Sequence, residues 1–169
     1  MKKLYFLLFA LSLFTTTKAQ IVDIPDANFK KQLLLTNELI PIALNSLGQS
    51  IRIDSNFDGQ IQTYEVSYVS QLNLSLINYS VQNLEGIQNF LNLTDLNCSN
   101  NPITSINLGS LTNLIKLNCS FISQFDLNFN LLTNLTELKI AGLQLSSVNS
   151  FSSLTSLRIL DINPLGVII

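Results

Sequence analysis

The sequence predicts an α/β solenoid of horseshoe shape, with parallel strands on its concave face, extended or 3₁₀ segments on its convex face, and a small helical N-terminal cap. The first observation is an apolar set that recurs at offsets of 21, 21 and 22 residues. The set is Leu93, Leu96 and Cys98; Leu114, Leu117 and Cys119; Leu135, Leu138 and Ile140; and Leu157, Leu160 and Ile162. A fixed period in the low twenties means that each unit buries its apolar edge against the next unit.

The second observation is the alternation of apolar and polar residues within each unit. Alternation places Leu96 and Cys98 inside the solenoid and Asp95 and Asn97 outside. About five strands are predicted, at residues 72–76, 95–98, 116–119, 137–140 and 159–162. The connecting segments, such as 102–111, are too short and too rich in β-branched and turn residues for full helices, so the convex side is predicted to be extended or 3₁₀.

The N-terminal segment predicts export. Two lysines at positions 2 and 3 precede an apolar stretch at 4–14, and Thr17 and Ala19 place small residues where a signal peptidase reads. We therefore predict a signal peptide at 1–19, because a membrane anchor needs about 20 apolar residues. Its removal takes away three lysines and moves the formal net charge from −2 to −5, which argues against a nucleic-acid partner.

Residues 20–71 are predicted to form the cap. Pro25 and Asp26 suit the first turn of a helix that runs to about Leu35, with Phe29 and Leu33 on one face. Residues 36–53 show no clean period and are predicted to be a loop with room for a short helix. A second helix is predicted at about 63–70, and the repeats follow from 72 to 169.

The segment between the loop and the second helix carries metal-binding chemistry. Residues 54–65 match the twelve-residue calcium loop of the EF-hand type at each defining position. Calcium prefers six to eight oxygen ligands, and the pattern assigns them to the side chains of Asp54, Asn56 and Asp58, the carbonyl of Gln60 and a bidentate Glu65. Gln62 would act through water. Gly59 permits the tight turn, and Ile61 points inward.

The segment upstream of this loop does not resemble the first helix of an EF-hand pair, which argues against a calcium sensor. The loop instead resembles the isolated EF-like loops of dockerin-type modules and secreted repeat proteins, and this resemblance implies structural calcium that joins a cap to its neighbour. The alternative is an Asp-rich turn that caps the helix at Thr63 without metal.

The two cysteines occupy equivalent positions in adjacent repeats. Stacked parallel strands lie about 4.8 Å apart, within the Cα range of a disulfide. A pair of small buried side chains in a core ladder is the other interpretation of Cys98 and Cys119, and we favour it. Neither is predicted to be a nucleophile, since the chain contains no histidine to activate one.

Residues 93–103 resemble a leucine-rich repeat of the 21 to 22 residue, internalin-like bacterial kind. The resemblance covers about 70–169. The family pattern has an Asn after each strand that hydrogen-bonds the turn backbone, and this chain has it only at Asn101. Tyr79, Ile122, Leu143 and Leu165 stand at the equivalent positions. We therefore expect irregular turns and modest stability.

The outward residues form two rows across the predicted concave sheet. One row is Asn73, Asp95, Lys116, Glu137 and Ile159, and the next is Ser75, Asn97, Asn118, Lys139 and Asp161. Opposite charges fall on neighbouring strands, so pairing across strands accounts for them without a ligand. If the face binds a partner, the candidate residues are Asn97, Asn118, Lys139 and Asp161.

These observations predict a secreted, non-catalytic module for protein–protein or surface interaction and adhesion, with an extracellular protein or cell-surface ligand as partner. An enzyme would have to use Asp54, Asp58 and Glu65, which fit one calcium site better than an acid and base pair. The alternative is a structural spacer or remnant of a longer surface protein. Residues 164–169 end in mid-repeat without a polar cap, which predicts self-association through the open end.

Overall fold

The computed structural model describes residues 20–76, 80–123, 127–143 and 151–162. The predicted signal peptide, Tyr79 and Leu165 lie outside these residues, and the predicted open end at 160–169 is described only as far as residue 162. Within the described ranges, no helix has the length and apolar character needed to cross a bilayer.

Within the part of the chain that the structure describes, six short strands form one sheet in chain order. They are β1 (Ala43–Leu44), β2 (Gln71–Asn73), β3 (Asp95–Asn97), β4 (Lys116–Asn118), β5 (Glu137–Lys139) and β6 (Ile159–Asp161). Strand β1 is antiparallel to β2, and each later pair is parallel. The predicted stack of parallel strands is therefore confirmed. A 3₁₀ helix at Ile87–Asn89 lies between β2 and β3, as the short connecting segments suggest.

The core is built from the recurring apolar set. The central side chains of β2 to β5 face inward and are at most 1% exposed; they are Leu72, Leu96, Leu117 and Leu138. Phe129 in the core stacks on the partly buried ring of Phe151, with ring centroids 6.1 Å apart. Burial weakens at β6, where Leu160 is 42% exposed. Hydrophobic stabilisation is therefore greatest in the middle of the stack.

The register corrects the predicted rows at the first strand. Gln71, rather than Asn73, lies beside Asp95, and Asn73, rather than Ser75, lies beside Asn97. The predicted strand at 72–76 was therefore misplaced. The reason is the length of the first unit: Gln71 to Asp95 is 24 residues, whereas later units are 21 or 22.

The segment predicted to be a loop contributes a strand instead. Ile42 and Ala43 are fully buried, and β1 pairs with β2 through Ala43 opposite Leu72. Two residues are too few for alternation to reveal a strand, so only the pairing identifies it. Through β1 the sheet extends into the segment predicted to be the cap.

Among the described residues, two helices lie ahead of the parallel strands. Helix α1 (Ala27–Leu34) buries Phe29 and Leu33 as its amphipathic pattern predicts. Helix α2 (Thr63–Val66) is shorter than the predicted 63–70. It ends early because the amide of Ser70 donates to the carbonyl of Leu44 at 2.9 Å, which commits the chain to the sheet.

Asp26 joins α1 to the first repeat with one carboxylate. Its Oδ1 caps the helix by accepting the amides of Asn28 and Phe29 at 2.8 and 2.9 Å. Its Oδ2 accepts the amides of Gln82 and Asn83 at 2.8 and 2.9 Å. Burial acts to raise the pKa of Asp26, but the four amides together lower it below its usual value. The carboxylate therefore favours the folded state in its charged form.

Candidate functional site

The loop at 54–65 is anchored at both ends. Before it, the amide of Ile53 donates to Oγ1 of Thr36 at 2.7 Å in the buried interior. At its exit, Ile61 is 1% exposed, and its carbonyl accepts the amide of Val22 at 2.8 Å. The inward position predicted for Ile61 is confirmed. Packing and an antiparallel bridge between Ile21 and Gln62 thus hold the loop against the first residues of the described chain.

Asp54 organises the turn of the loop. Its two carboxylate oxygens accept the amides of Asp58 and Gly59, both at 3.2 Å. Phe57 and Gly59 adopt left-handed φ values of 62° and 73°, which wrap the backbone around this carboxylate. Glycine takes this conformation at little cost, whereas Phe57 requires support from the loop.

Asn56 and Asp58 continue the same arrangement. Oδ1 of Asn56 accepts the amide of Asp58 at 3.0 Å, and Oδ1 of Asp58 accepts the amide of Gln60 at 2.8 Å. Nε2 of Gln62 donates to Oδ2 of Asp58 at 2.7 Å. The hydrogen bond from the Gln60 amide, followed by those of Gln62 and Asn56, lowers the pKa of Asp58. Its carboxylate is therefore charged at neutral pH.

Glu65 is buried and connects the two ends of the loop. Its Oε1 accepts the amide of Ser55 at 2.8 Å, and its Oε2 accepts the amide of Gln62 at 3.0 Å. The second contact belongs to a capping box at the start of α2. This residue, 2% exposed, would be a costly buried charge without these donors. The loop therefore includes the helix cap of the alternative interpretation.

The donor chemistry of the loop fits a hard cation. Carboxylate and amide oxygens of Asp54, Asn56, Asp58 and Glu65 come from one short loop, together with the carbonyl of Gln60. As they stand, no three acidic, cysteine or histidine side chains among the described residues are gathered closely enough to hold a metal ion. Calcium binding would require Glu65 to exchange at least one amide contact for the ion.

The candidate residues of the outward sheet surface lie in one row. Asn97, Asn118, Lys139 and Asp161 occupy paired positions on β3 to β6. We call the surface formed by this row and the row of Gln71, Asp95, Lys116, Glu137 and Ile159 the outer sheet face.

The asparagines of this row have a structural role at the ends of their strands. Oδ1 of Asn97 accepts the amide of Ser99 at 3.1 Å and its hydroxyl at 2.7 Å, and Nδ2 of Asn97 donates to Oγ of Ser75 at 3.2 Å. Oδ1 of Asn118 accepts the amide of Ser120 at 3.1 Å. These side chains turn the backbone out of the sheet, so part of their polar capacity is already used.

The charges of the outer sheet face attract one another across strands, as predicted, since Lys116 acts to lower the pKa of both Asp95 and Glu137 on the neighbouring strands. In addition, an ion pair joins Nζ of Lys139 to Oε1 of Glu137 at 2.8 Å within β5. This hydrogen bond lowers the pKa of Glu137 and raises that of Lys139. Asp95 differs, because burial raises its pKa while Lys116 opposes that effect. Glu137 and Lys139 are two residues apart in β5 and therefore share one face of the sheet, which permits their ion pair.

Cys98 and Cys119 are free, fully buried thiols. The backbone amide of Cys98 donates to the carbonyl of Asn118, and the amide of Cys119 donates to the carbonyl of Lys139. Both distances are 2.9 Å, and both bonds belong to the parallel ladder. Burial raises the pKa of Cys98 to about 12 and also raises that of Cys119. The structure therefore has the buried pair rather than the disulfide, and neither thiol is poised as a nucleophile.

Comparison with known proteins identifies the repeats. The family model for the leucine-rich repeat domain of the endo-β-N-acetylglucosaminidase EndoS matches residues 52–164, about two thirds of the chain. The match begins two residues ahead of the loop at 54–65, so the loop lies within it. No curated protein sequence matches the chain significantly.

Solved structures of internalins from Listeria monocytogenes share the fold. The functional domain of InlJ, which includes a cysteine ladder, has a TM-score of 0.65 and 24% identity over 88% of this chain and 30% of its own. The internalin InlF has a TM-score of 0.61 and 19% identity over 89% of this chain and 47% of its own. The chain thus spans less than half the length of either structure.

Proposed function

Because the chain belongs to the family of the EndoS leucine-rich repeat domain, we propose that it is a secreted, non-catalytic module that binds a protein at a cell surface. The observation that supports this function is the outer sheet face, which an array of short parallel strands presents without interruption. Internalin-like leucine-rich repeat folds suggest protein interaction, and adhesion is the form of it that export would serve.

Lys116 is the most suitable probe of the outer sheet face. It is exposed on β4, in the middle of the sheet, whereas Glu137 and Lys139 neutralise each other. Charged side chains in an interface steer association and fix the register of the partners more than they add affinity. A protein partner would therefore contact Lys116 directly, between Asp95 and Glu137.

Site-specific photo-crosslinking tests this function. A photoreactive amino acid replaces Lys116 in one variant and Thr133, which is exposed outside the sheet, in the control. Both proteins are irradiated on intact bacterial and animal cells, with unmodified protein as competitor. We expect a discrete protein adduct from position 116 that competition removes, and none from 133. Equal adducts from both positions, or none, would instead support the spacer.

We propose further that the loop at 54–65 binds structural calcium through Asp54, Asn56, Asp58, Gln60 and Glu65. The arrangement of Asp54 and Asp58 supports this, since both carboxylates already organise the amides of the loop interior. When bound, the ion would neutralise the carboxylates and strengthen the connection of the loop to α2. Extracellular sites of this kind bind calcium with a Kd of about 10⁻⁴ to 10⁻³ M.

Thermal unfolding with calcium and with chelator tests the metal site. At a hundredfold excess over Kd, bound calcium should stabilise the fold by about 2.7 kcal/mol. Asp58→Asn should abolish this gain, because it removes a charged ligand of the ion. The variant should leave the Glu65 cap intact, because Asp58 is exposed and is not part of that cap. Asp23→Asn, an exposed acidic residue outside the loop, should retain it. An equal calcium response in both variants would contradict the site.

A further inference from the structure

A groove of about 810 Å³ lies where the strands of the sheet begin. One wall consists of residues just ahead of β3, β4 and β5, and the other comes from the segments that flank β1 and β2. The repeats contribute Asn92, Thr94, Asn113, Ile115, Asn134 and Thr136. The repeat period alone does not reveal this groove, because its other wall comes from segments that lie outside the repeats.

Three asparagines form a ladder along the groove. Nδ2 of Asn92 donates to the carbonyl of Ser67 at 2.8 Å, and Nδ2 of Asn113 donates to that of Leu91 at 2.9 Å. In the same way, Nδ2 of Asn134 donates to the carbonyl of Thr112 at 3.0 Å. Each bond orients an amide and leaves its oxygen available as an acceptor. The rungs follow the strand spacing of about 4.8 Å.

The groove differs from the outer sheet face in its charge. None of the described residues that line it is charged; the lining is amide, hydroxyl and apolar. The outer sheet face, by contrast, carries Asp95, Lys116, Glu137 and Lys139. A charged ligand in the groove would lose hydration without gaining an ionic partner, which is unfavourable. The lining therefore selects an uncharged ligand with many hydroxyl groups.

An aromatic ring stands at the cap end of the groove. Tyr68 follows Ser67, the residue that anchors the first rung of the ladder, and it is 69% exposed. Leu47, 80% exposed, lies on the same wall. Tyrosine presents a flat apolar body with a polar tip, which suits a ligand with both C–H faces and hydroxyls.

We propose that this groove binds a neutral oligosaccharide, with one sugar ring for each repeat. Tyr68 packs against the face of a terminal sugar ring. The amide oxygens of Asn92, Asn113 and Asn134 accept hydrogen bonds from hydroxyl groups of the oligosaccharide. An extended peptide fits the ladder less well, because its side chains recur on one face every 6.6 to 6.8 Å, roughly, out of step with the strands. The binding site is independent of Lys116 and of the outer sheet face.

Calorimetric titration with matched hexasaccharides tests the proposal. The probes are cellohexaose, maltohexaose and chitohexaose, with hexagalacturonate as the anionic comparator and a neutral Gly-Ser-Thr hexapeptide as the peptide comparator. The variants are Tyr68→Ala, which removes the ring, and Ile115→Lys, which places a charge in the middle of the groove. Leu131→Lys adds the same charge at a site 58% exposed and outside this groove.

We expect at least one neutral hexasaccharide to bind, and Tyr68→Ala to weaken its binding about tenfold. Ile115→Lys should weaken it at least as much, while Leu131→Lys should bind like the original chain. Circular dichroism establishes that each variant is folded. The proposal is overturned if no neutral hexasaccharide binds, if both groove variants bind normally, or if hexagalacturonate or the hexapeptide binds more tightly.

Discussion

The turn that follows β3 and the turn that follows β4 have the same backbone but different chemistry. Asn100 and Phe121 hold equivalent positions with left-handed φ values of 58° and 56°. The next residue is Asn101 in the first turn and Ile122 in the second, and both are buried. The irregularity expected where Asn is missing is therefore absent at Ile122. The backbone shape of these turns does not require the asparagine.

Each turn satisfies its interior in its own way. Nδ2 of Asn101 lies 3.1 to 3.3 Å from the carbonyls of Leu74, Cys98 and Ser99, and its Oδ1 accepts the amide of Val81. In the second turn, Ile122 packs in the core instead. The amide of Ala141 donates to the Ser120 hydroxyl at 3.1 Å. The first turn therefore depends on hydrogen bonds and the second on burial.

The largest expected effect comes from making the first turn resemble the second. Asn101→Leu keeps the size of the side chain but leaves buried carbonyls and the Val81 amide without a donor or acceptor. We expect a loss of about 3 kcal/mol in the free energy of unfolding, measured by urea denaturation. Asn130→Leu, at an exposed position, is the control and should change little. A loss below 1 kcal/mol, about the worth of one hydrogen bond, would contradict the polar account of this turn.

The second turn is tested through Gly142, which stands one period after Phe121 and also has a left-handed φ, of 77°. A Cβ at Gly142 would lie 2.6 Å from Cδ1 of Phe121. Gly142→Ala should therefore destabilise the fold by about 2 kcal/mol, from the left-handed backbone and the clash together. The double variant with Phe121→Ala relieves the clash only. In thermal denaturation, the double variant should lose less stability than the sum of the losses of the two single variants. Strictly additive losses would contradict a contact between the Phe121 ring and the added Cβ.

Asp26 accepts the backbone amides of Gln82 and Asn83, which follow the Val81 amide that Asn101 accepts. Asp26→Asn keeps one acceptor oxygen but turns an NH₂ group toward backbone donors. We expect a loss of about 1.5 kcal/mol at pH 7. The folded pKa is lowered, so the contribution of the carboxylate is present above its unfolded pKa of about 3.9 and disappears as the pH falls through the folded value.

Urea denaturation at pH 7 and pH 3 checks this dependence. The difference between the original chain and Asp26→Asn should shrink on acidification. Asp23→Asn, exposed and three residues earlier, is the matched control. A difference that stays constant between the two pH values would show that the charge of Asp26 contributes nothing.

The smallest effect is expected for a conservative change in the second turn. Ile122→Val removes one methylene from a side chain that is 7% exposed. It should cost about 1 kcal/mol, since no hydrogen bond is lost. Chemical denaturation compares it with Asn101→Leu, and a loss as large as that of Asn101→Leu would erase the distinction between the turns.

Much of the fold was predictable because, in a solenoid, residues that are one period apart in the chain contact each other. Leu96, Leu117 and Leu138 recur at the offsets that stack them, and neighbouring repeats contact each other in chain order. The position of β2 was not predictable from that period, since its unit is longer. The strand β1 was not predictable either, because two residues carry no pattern and its pairing is antiparallel.

In the candidate sites, too, some features follow from the spacing of residues and others depend on the folded geometry. The oxygen donors of loop 54–65 follow from their spacing, while the engagement of Glu65 with Ser55 and Gln62 depends on how the loop closes. The row of Asn97 and Asn118 followed from the repeat, but their use in ending strands is a matter of local geometry. The groove beside Tyr68 joins the cap segment to three repeats.

The repeat, the inward apolar ladder with its two buried cysteines, and the donor pattern of the loop can all be read from the amino-acid sequence. These properties depend on spacing along the chain, where neighbours in space are one period apart. The register of β2, the four amides bound by Asp26 and the uncharged groove emerge only when the chain is folded. Those features bring residues of the segment 20–71, which has no repeat period, against residues of the repeats, and the free energy of packing that segment decides which of them meet.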